Sequence, residues 1–124
     1  MSSETILVVE DEAIIRWAWA QDLIDAGFAV REAGTGDEAL DILVSEQRVD
    51  ALVTDIRMPG FVDGWTLAER AREDRRELPV IYTTGFSPDH ARQVPGSVLL
   101  TKPMPTNAII DALAGFGLPS AGWA

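Results

Sequence analysis

Carboxylates stand directly after two short apolar runs of this chain. Residues 5–9 (TILVV) are followed by Glu10, Asp11 and Glu12, and residues 51–54 (ALVT) are followed by Asp55. Open α/β sheets carry out their chemistry at the carboxyl ends of buried strands. Clustered carboxylates without a glycine-rich phosphate loop favour a site for a divalent cation, and hard oxygen ligands suit Mg²⁺. A carboxylate beside such a cation can also attack phosphorus and form an acyl phosphate.

A hydroxyl and an amine follow two further apolar runs. Thr84 closes the run 79–84, and Lys102 comes directly after the run 97–101. In a parallel sheet, these strand ends lie on the same edge as Asp55. A lysine and a hydroxyl can bind phosphoryl oxygens and neutralise their charge. The four strand ends together predict phosphoryl chemistry at one edge of a sheet.

Hydrophobic periodicity predicts the elements that carry these residues. Strands are predicted at 5–10, 28–33, 50–55, 79–84 and 97–101. Helices are predicted at 12–26, 36–46, 64–76, 88–93 and 105–114. We expect the first helix to end at Gly27, and Thr35 and Glu38 have the spacing of a capping box at the start of the second. The alternation predicts an α/β fold in which five helices cover both faces of a five-stranded parallel sheet.

The composition limits the classes of function. The chain has 124 residues, 47% of them hydrophobic, and a net charge of -10. We therefore expect a single domain over 1–124, with a core at 4–115 and a flexible tail at 116–124. The negative charge opposes binding to nucleic acid or anionic lipid. Cysteine is absent, which excludes disulfides and thiolate metal sites. Because no apolar run reaches the ~20 residues of a membrane span and the N-terminus lacks a signal-peptide pattern, we interpret the protein as cytoplasmic.

The first predicted helix has two apolar stripes. Ile15, Ala18, Leu23 and Ala26 form one stripe with Trp19 beside it, and Ile14, Trp17 and Ile24 form the other. A helix that is apolar on two faces is either deeply buried or binds a partner. We favour a docking face around Trp17.

Four stretches of the chain, taken in order, resemble the receiver domain of two-component response regulators. They are residues 6–12 (ILVVEDE), 55–60 (DIRMPG) with 63–64 (DG), 78–85 (LPVIYTTG) and 101–103 (TKP). The resemblance covers roughly residues 4–115. It implies a flavodoxin-like doubly wound sheet with the strand order 2-1-3-4-5.

The resemblance also implies a role for each site residue. Asp55 is the expected phosphoacceptor, with Lys102 as the phosphate partner and Thr84 as the switch hydroxyl. Mg²⁺ is the expected cofactor, bound by Asp11, by Asp55 and by the backbone carbonyl of Arg57, with Glu10 acting through water. The Lys102–Pro103 peptide bond is expected to be cis, which only an X-Pro bond adopts cheaply.

Two positions depart from the family pattern. Receivers usually carry an aromatic residue three positions before the lysine, and this chain has Leu99 there. Gly85 replaces the common alanine after the switch threonine. Residues 82–86 (YTTGF) are similar to the Phe-Ala-Thr-Gly-Tyr-like motif of an alpha-proteobacterial receiver subgroup that lacks the aromatic on strand five.

The resemblance predicts a single-domain response regulator whose Asp55 takes a phosphoryl group from a histidine kinase or a histidine phosphotransfer protein. Its output would be phosphorylation-controlled binding to another, unidentified protein, or the passing on or draining of phosphoryl groups. It would catalyse only its own phosphorylation and autodephosphorylation. The alternative, favoured by Leu99, is a degenerate receiver that binds proteins without phosphorylation.

Two enzyme classes fit less well. A flavodoxin-like redox protein needs backbone donors for the flavin phosphate after strand one, where the carboxylates of 10–12 would repel it. A phosphatase of the haloacid-dehalogenase type needs an acid two residues after its nucleophile, and Arg57 occupies that position.

Overall fold

Strands and helices alternate along the described residues from β1 to β4, as the sequence predicts. The computed structural model describes residues 4–45, 48–85 and 92–120. The elements are β1 Thr5–Val9, α1 Ala13–Asp25, β2 Ala29–Ala33, α2 Gly36–Ser45, β3 Ala51–Asp55, α3 Gly64–Asp74, β4 Val80–Thr84, β5 Val98–Thr101 and α4 Thr106–Gly115. The described residues thus contain four helices, because most of the fourth predicted helix, 88–93, lies outside them.

All five strands are parallel and form one sheet. The strand order is β2-β1-β3-β4-β5, which confirms the predicted doubly wound topology. β3 and β4 are buried along their whole length and β1 nearly so, whereas the edge strands β2 and β5 are largely exposed or half-buried. Continuous apolar runs suit the central strands because helices cover both of their faces.

Two apolar clusters fill the space between the sheet and the helices. One contains α2 and α3 residues, with Leu52 and Tyr82 from the sheet. The other contains α1 and α4 residues, with Val53 and Ile81 from the sheet. Because successive strand residues point to opposite faces, each central strand contributes to both clusters.

α1 buries one stripe and exposes the other. Trp19, Ala20 and Leu23 are buried against the sheet, while Ile14 is 83% exposed and Trp17 60% exposed. The helix is followed by Gly27 with φ 101°, a conformation that glycine adopts without steric cost. Of the stripe predicted to face the sheet, Leu23 is buried, and Ile15, Ala18 and Ala26 are half-buried. The second predicted stripe, Ile14, Trp17 and Ile24, is exposed as an apolar surface on the described part of the chain.

Side chains cap the starts of α2 and α3. The Glu38 amide donates to Thr35 Oγ1 at 3.1 Å, as the capping-box spacing predicts, but Glu38 Oε1 accepts from the Gly34 amide at 2.6 Å. Asp63 Oδ1 accepts from the Thr66 amide at 2.8 Å and caps α3. Each cap satisfies an amide that has no partner within its helix.

α3 starts in direct contact with the end of β3. A Cβ atom on Gly64 would lie 2.1 Å from the carbonyl oxygen of Asp55. The Gly64 amide also donates to the Ile56 carbonyl at 2.8 Å. Only a residue without a side chain allows this approach, so Gly64 holds the loop that follows Asp55.

Packing continues past α4. Phe116 and Leu118 pack against the α1–α4 cluster, and the Leu118 amide donates to the Leu113 carbonyl at 2.9 Å. The packed chain therefore reaches Leu118, three residues beyond the predicted core, and 121–124 lie outside the described residues. Within the described ranges, no helix is both long and apolar enough to cross a membrane.

We predict that Gly64→Ala lowers the free energy of unfolding by at least about 2 kcal/mol, because the added methyl group overlaps the Asp55 carbonyl. Denaturant unfolding would measure the change. Gly115→Ala is the matched control, since a Cβ atom there meets nothing within 4 Å. The control is expected to gain up to about 1 kcal/mol from helix propensity. Equal stabilities for the two variants would contradict the prediction.

Candidate functional site

The carboxyl edge of the sheet brings an ammonium group between two carboxylates. Lys102 Nζ, just after β5, lies 2.9 Å from Glu10 Oε1, just after β1, and 3.2 Å from Asp55 Oδ2, at the end of β3. Lys102 is 92 residues from Glu10 and 47 from Asp55 along the chain. The parallel topology creates this contact, since all three strands end at the same edge.

Each carboxylate oxygen of Asp55 has a hydrogen-bond donor. Its Oδ1 accepts from the backbone amide of Ile56 at 2.8 Å, while its Oδ2 faces Lys102. Burial raises the pKa of Asp55, and the charge of Lys102 opposes that rise. Sequence reasoning missed the Ile56 amide because a backbone donor carries no side-chain signature.

Glu10 is fully buried at the end of β1. Desolvation raises its pKa, although its bonds to the Glu12 amide and to Lys102 lower it. Arg16 Nη1 donates to the Glu10 backbone carbonyl at 2.8 Å, and the Glu10 amide donates to the Ala33 carbonyl at 3.1 Å. The role of Arg16 at this strand end was not predicted, because no sequence pattern links it to the Glu10 carbonyl.

Three carboxylates are close enough to share one cation. Oxygens of Glu10, Asp11 and Asp55 lie within 4.8 Å of one another. Asp11 is exposed, and the other two are buried. Hard oxygen donors with one open side fit Mg²⁺, which keeps several of its waters.

A cleft of about 500 Å³ opens above these carboxylates. It is lined by Asp11, Glu12, Ile15, Asp55, Arg57, Gly85, Lys102 and Pro103. The predicted Arg57 is therefore at the site, and the predicted cis Lys102–Pro103 bond is present. The cleft is large enough for a phosphoryl group.

Thr84 takes a different position from the other predicted site residues. It is fully buried at the end of β4, and its carbonyl accepts from the Lys102 amide at 2.6 Å. Among the described residues, those lining the cleft do not include Thr84. The structure therefore gathers Glu10, Asp11, Asp55 and Lys102 in one site and leaves the threonine side chain beside it.

An aromatic residue lies on β4 next to the unusual Leu99. Leu99 pairs in register with Tyr82, whose ring centroid is 4.8 Å from that of Trp65. The buried Tyr82 hydroxyl accepts from the Val94 amide at 3.2 Å. The Tyr82 side chain is thus anchored in the apolar cluster between the sheet and helices α2 and α3. The half-buried Leu99 takes the neighbouring position on β5.

Known proteins share this fold and this sequence pattern. The chain is 37% identical over 95 residues to the sensor kinase CckA of Brucella abortus, a match that covers 75% of this chain and 10% of that protein. The first curated relatives also include the transcriptional regulator NtrC of Escherichia coli, which is 37% identical over 87 residues, covering 70% of this chain and 18% of NtrC. The chain therefore spans less than a fifth of the length of either relative.

Solved structures match over nearly all of their length. A response regulator receiver protein from Sinorhizobium medicae has a TM-score of 0.87 and 36% identity, with 91% of this chain and 93% of that chain covered. A model of the response regulator receiver domain family matches residues 6–114. With the five-stranded fold and the carboxylate–lysine site, these matches show that the chain belongs to the response regulator receiver domain family.

Proposed function

We propose that this chain is a phosphorylation-controlled switch whose Asp55 accepts a phosphoryl group from a phosphohistidine donor, either a histidine kinase or a histidine phosphotransfer protein. The observation that carries the proposal is the contact of Lys102 with both Asp55 and Glu10 at the mouth of an acidic cleft. We place the exchange in the cytoplasm, where kinases draw on ATP. The net charge of -10 argues for a protein output partner over nucleic acid.

The transfer is a displacement at phosphorus. A carboxylate oxygen of Asp55 forms the new O–P bond, the N–P bond to the donor imidazole breaks, and its electron pair leaves with the imidazole nitrogen. The Ile56 amide orients the carboxylate. Hydrolysis of the acyl phosphate by water would return the resting state. The proposed chemistry is limited to the chain's own phosphorylation and autodephosphorylation.

Mg²⁺ is the proposed cofactor. Asp11, Asp55 and the Arg57 carbonyl would hold the ion, and Glu10 would act through water because Lys102 and the Glu12 amide engage its two oxygens. When bound, Mg²⁺ supplies positive charge that offsets the charge on the phosphoryl oxygens. Lys102 supplies a second positive charge at the same edge, and Thr84 is the proposed switch hydroxyl.

The exposed stripe of α1 supports a docking site for the donor. A groove of about 460 Å³ runs between α1 and residues 102–106, and Ile14 is the member of the exposed stripe that lines it. Ile15, Lys102 and Pro103 line both this groove and the acidic cleft. A partner seated on α1 would therefore reach the edge of the cleft that holds Asp55.

The second candidate function is phosphorylation-independent binding to a protein. Leu99 favours it, because a leucine has neither the ring nor the hydroxyl that the family's usual aromatic would move. The complete set of carboxylates and Lys102 favours phosphorylation instead. Labelling with acetyl phosphate separates the two candidates.

We predict that Asp55→Asn reduces Mg²⁺-dependent labelling by radioactive acetyl phosphate to background, because asparagine keeps the shape but lacks the nucleophile. Autoradiography of the separated protein would measure it. Asp50→Asn, at the opposite end of β3, should label like the parent, and chelation of Mg²⁺ should abolish the parent's labelling. Parent-like labelling of Asp55→Asn would refute the assignment, and an unlabelled parent would favour the binding-only function.

We predict that Lys102→Met destabilises the protein by about 3 kcal/mol at pH 7.5 without Mg²⁺, since it leaves two buried carboxylates without their cation. Desolvation lowers the pKa of Lys102, but its bonds to the two carboxylates outweigh this and raise it. Burial raises the pKa of Glu10 and of Asp55 above the unfolded values. At pH values between the unfolded and the raised folded pKa values of these carboxyl groups, the folded state therefore binds more protons than the unfolded state.

The loss of stability in Lys102→Met should accordingly shrink as the pH falls through the raised folded pKa values of Glu10 and Asp55, because protonation removes their unpaired charges. Urea unfolding at several pH values would follow it. Arg48→Met, which removes an exposed pair with Asp50, should change stability little. A deficit that is constant with pH would contradict the electrostatic explanation.

We predict that Trp17→Ala slows phosphotransfer from a phosphorylated histidine kinase by tenfold or more, as expected for a large aromatic side chain at the centre of an interface. Labelling by acetyl phosphate should stay unchanged, because the small donor needs no docking surface. Val44→Ala, an exposed apolar residue on α2, is the matched control and should behave like the parent in both assays. Loss of both activities would identify Trp17 as structural, and loss of neither would move the docking site elsewhere.

A further inference from the structure

Three polar side chains form a row across the central strands. Asp55 on β3 pairs in register with Thr83 on β4, and the register of Val9 with Thr54 puts Glu10 beside Asp55. Val8, Val53 and Ile81, each two residues before a member of the row, belong to the α1–α4 cluster. Because strand side chains alternate with a period of two, Glu10, Asp55 and Thr83 all point to that face.

Thr83 is the member of this row without a partner. It is fully buried, and within the described ranges its Oγ1 has no hydrogen-bond partner. Glu10 and Asp55 both contact Lys102. The neighbouring buried hydroxyl of Thr54 donates to the Asp55 carbonyl at 2.9 Å. Unpartnered buried hydroxyls are rare because they lose their bonds to water without replacement, and valine would fill nearly the same volume without that loss.

Phosphorylation changes what Asp55 offers to its neighbours. At rest, the Ile56 amide and Lys102 engage its two carboxylate oxygens. Once one oxygen is bonded to phosphorus, the negative charge lies on the phosphoryl oxygens, and the ammonium of Lys102 is drawn towards them. The acyl phosphate on Asp55 then has oxygen lone pairs that can accept a hydrogen bond from a donor in the same row of the sheet.

We propose that the Thr83 hydroxyl is a positioning donor reserved for the modified state, in which it donates a hydrogen bond to an oxygen of the acyl phosphate on Asp55. The inference rests on the proposed function. The hydroxyl would then cost stability at rest and contribute it after phosphorylation. Thr83 would thereby bias the equilibrium towards the phosphorylated conformation by its differential interaction with the two states.

The experiment compares the parent with Thr83→Val and Thr83→Ser. Beryllofluoride with Mg²⁺ serves as the stable mimic of the phosphoryl group, and a fluorescence titration gives its apparent Kd. Thr83→Val should melt about 2–5 °C above the parent at rest, yet bind beryllofluoride roughly tenfold more weakly. Thr83→Ser keeps the donor and loses a methyl group, so it should melt below the parent and bind beryllofluoride with the parent's affinity.

Thr54→Val is the matched control. Its hydroxyl already has a partner at rest, so the substitution should lower the melting temperature and leave the apparent Kd unchanged. A melting temperature of Thr83→Val below the parent's would show that the hydroxyl is satisfied at rest and overturn the inference. Equal affinities of Thr83→Val and the parent would overturn it too, as would a Thr83→Ser variant that binds as weakly as Thr83→Val.

Failure of the proposed function gives a different result. A folded parent that binds no beryllofluoride in the presence of Mg²⁺ removes the phosphoacceptor assignment, and the role of Thr83 falls with it. A parent that binds while all Thr83 variants bind equally well removes only the role of Thr83.

Discussion

The contact of Lys102 with Glu10 and Asp55 is the interaction on which the site depends. One ammonium serves two buried carboxylates, so neither is fully compensated, and the pKa values of both carboxyl groups stay raised by burial. A site with surplus negative charge favours the binding of a cation. The same lysine can shift towards new negative charge on Asp55 without leaving the edge of the sheet. The resting structure thus holds a surplus of negative charge that a bound cation would relieve, and phosphorylation would add to it.

The sheet makes this imbalance possible. Its parallel strands deliver Glu10, Asp55 and Lys102 to one edge, while helices on both faces keep water from the strand interiors. The start of α3 lies against the Asp55 carbonyl through Gly64, which fixes the backbone that follows Asp55. Arg16 ties the end of β1 to α1 through the Glu10 carbonyl. The side chains of the site therefore stand on a backbone held at several points, which preorganises the site.

The residues around the site differ in how tightly they are packed. Tyr82 is enclosed by Trp65 and bonded to the Val94 amide, so this aromatic side chain is an anchor at rest. Leu99 beside it has no polar group to exchange. Above the cleft, Gly85 adds no side chain, and a Cβ atom there would meet nothing within 4 Å. The groove along α1 shares Ile15, Lys102 and Pro103 with the cleft that holds Asp55.

Patterns within short segments of the sequence determined much of the fold and many residues of the site. Apolar runs predicted the five strands, and four of them are followed or closed by an acid, a hydroxyl or an amine. The central strands β1, β3 and β4 had the clearest pattern, because a strand buried on both faces is apolar along nearly its whole length. The capping residues of α2 and the exposed Trp17 stripe were also readable, since each depends on spacing within one element. Tertiary structure alone decided which oxygens Lys102 contacts, that Arg16 and the Ile56 amide support the site, and that the Thr84 side chain lies outside the cleft lining. These features join segments distant in sequence or use backbone groups, and no local pattern encodes the distances between them.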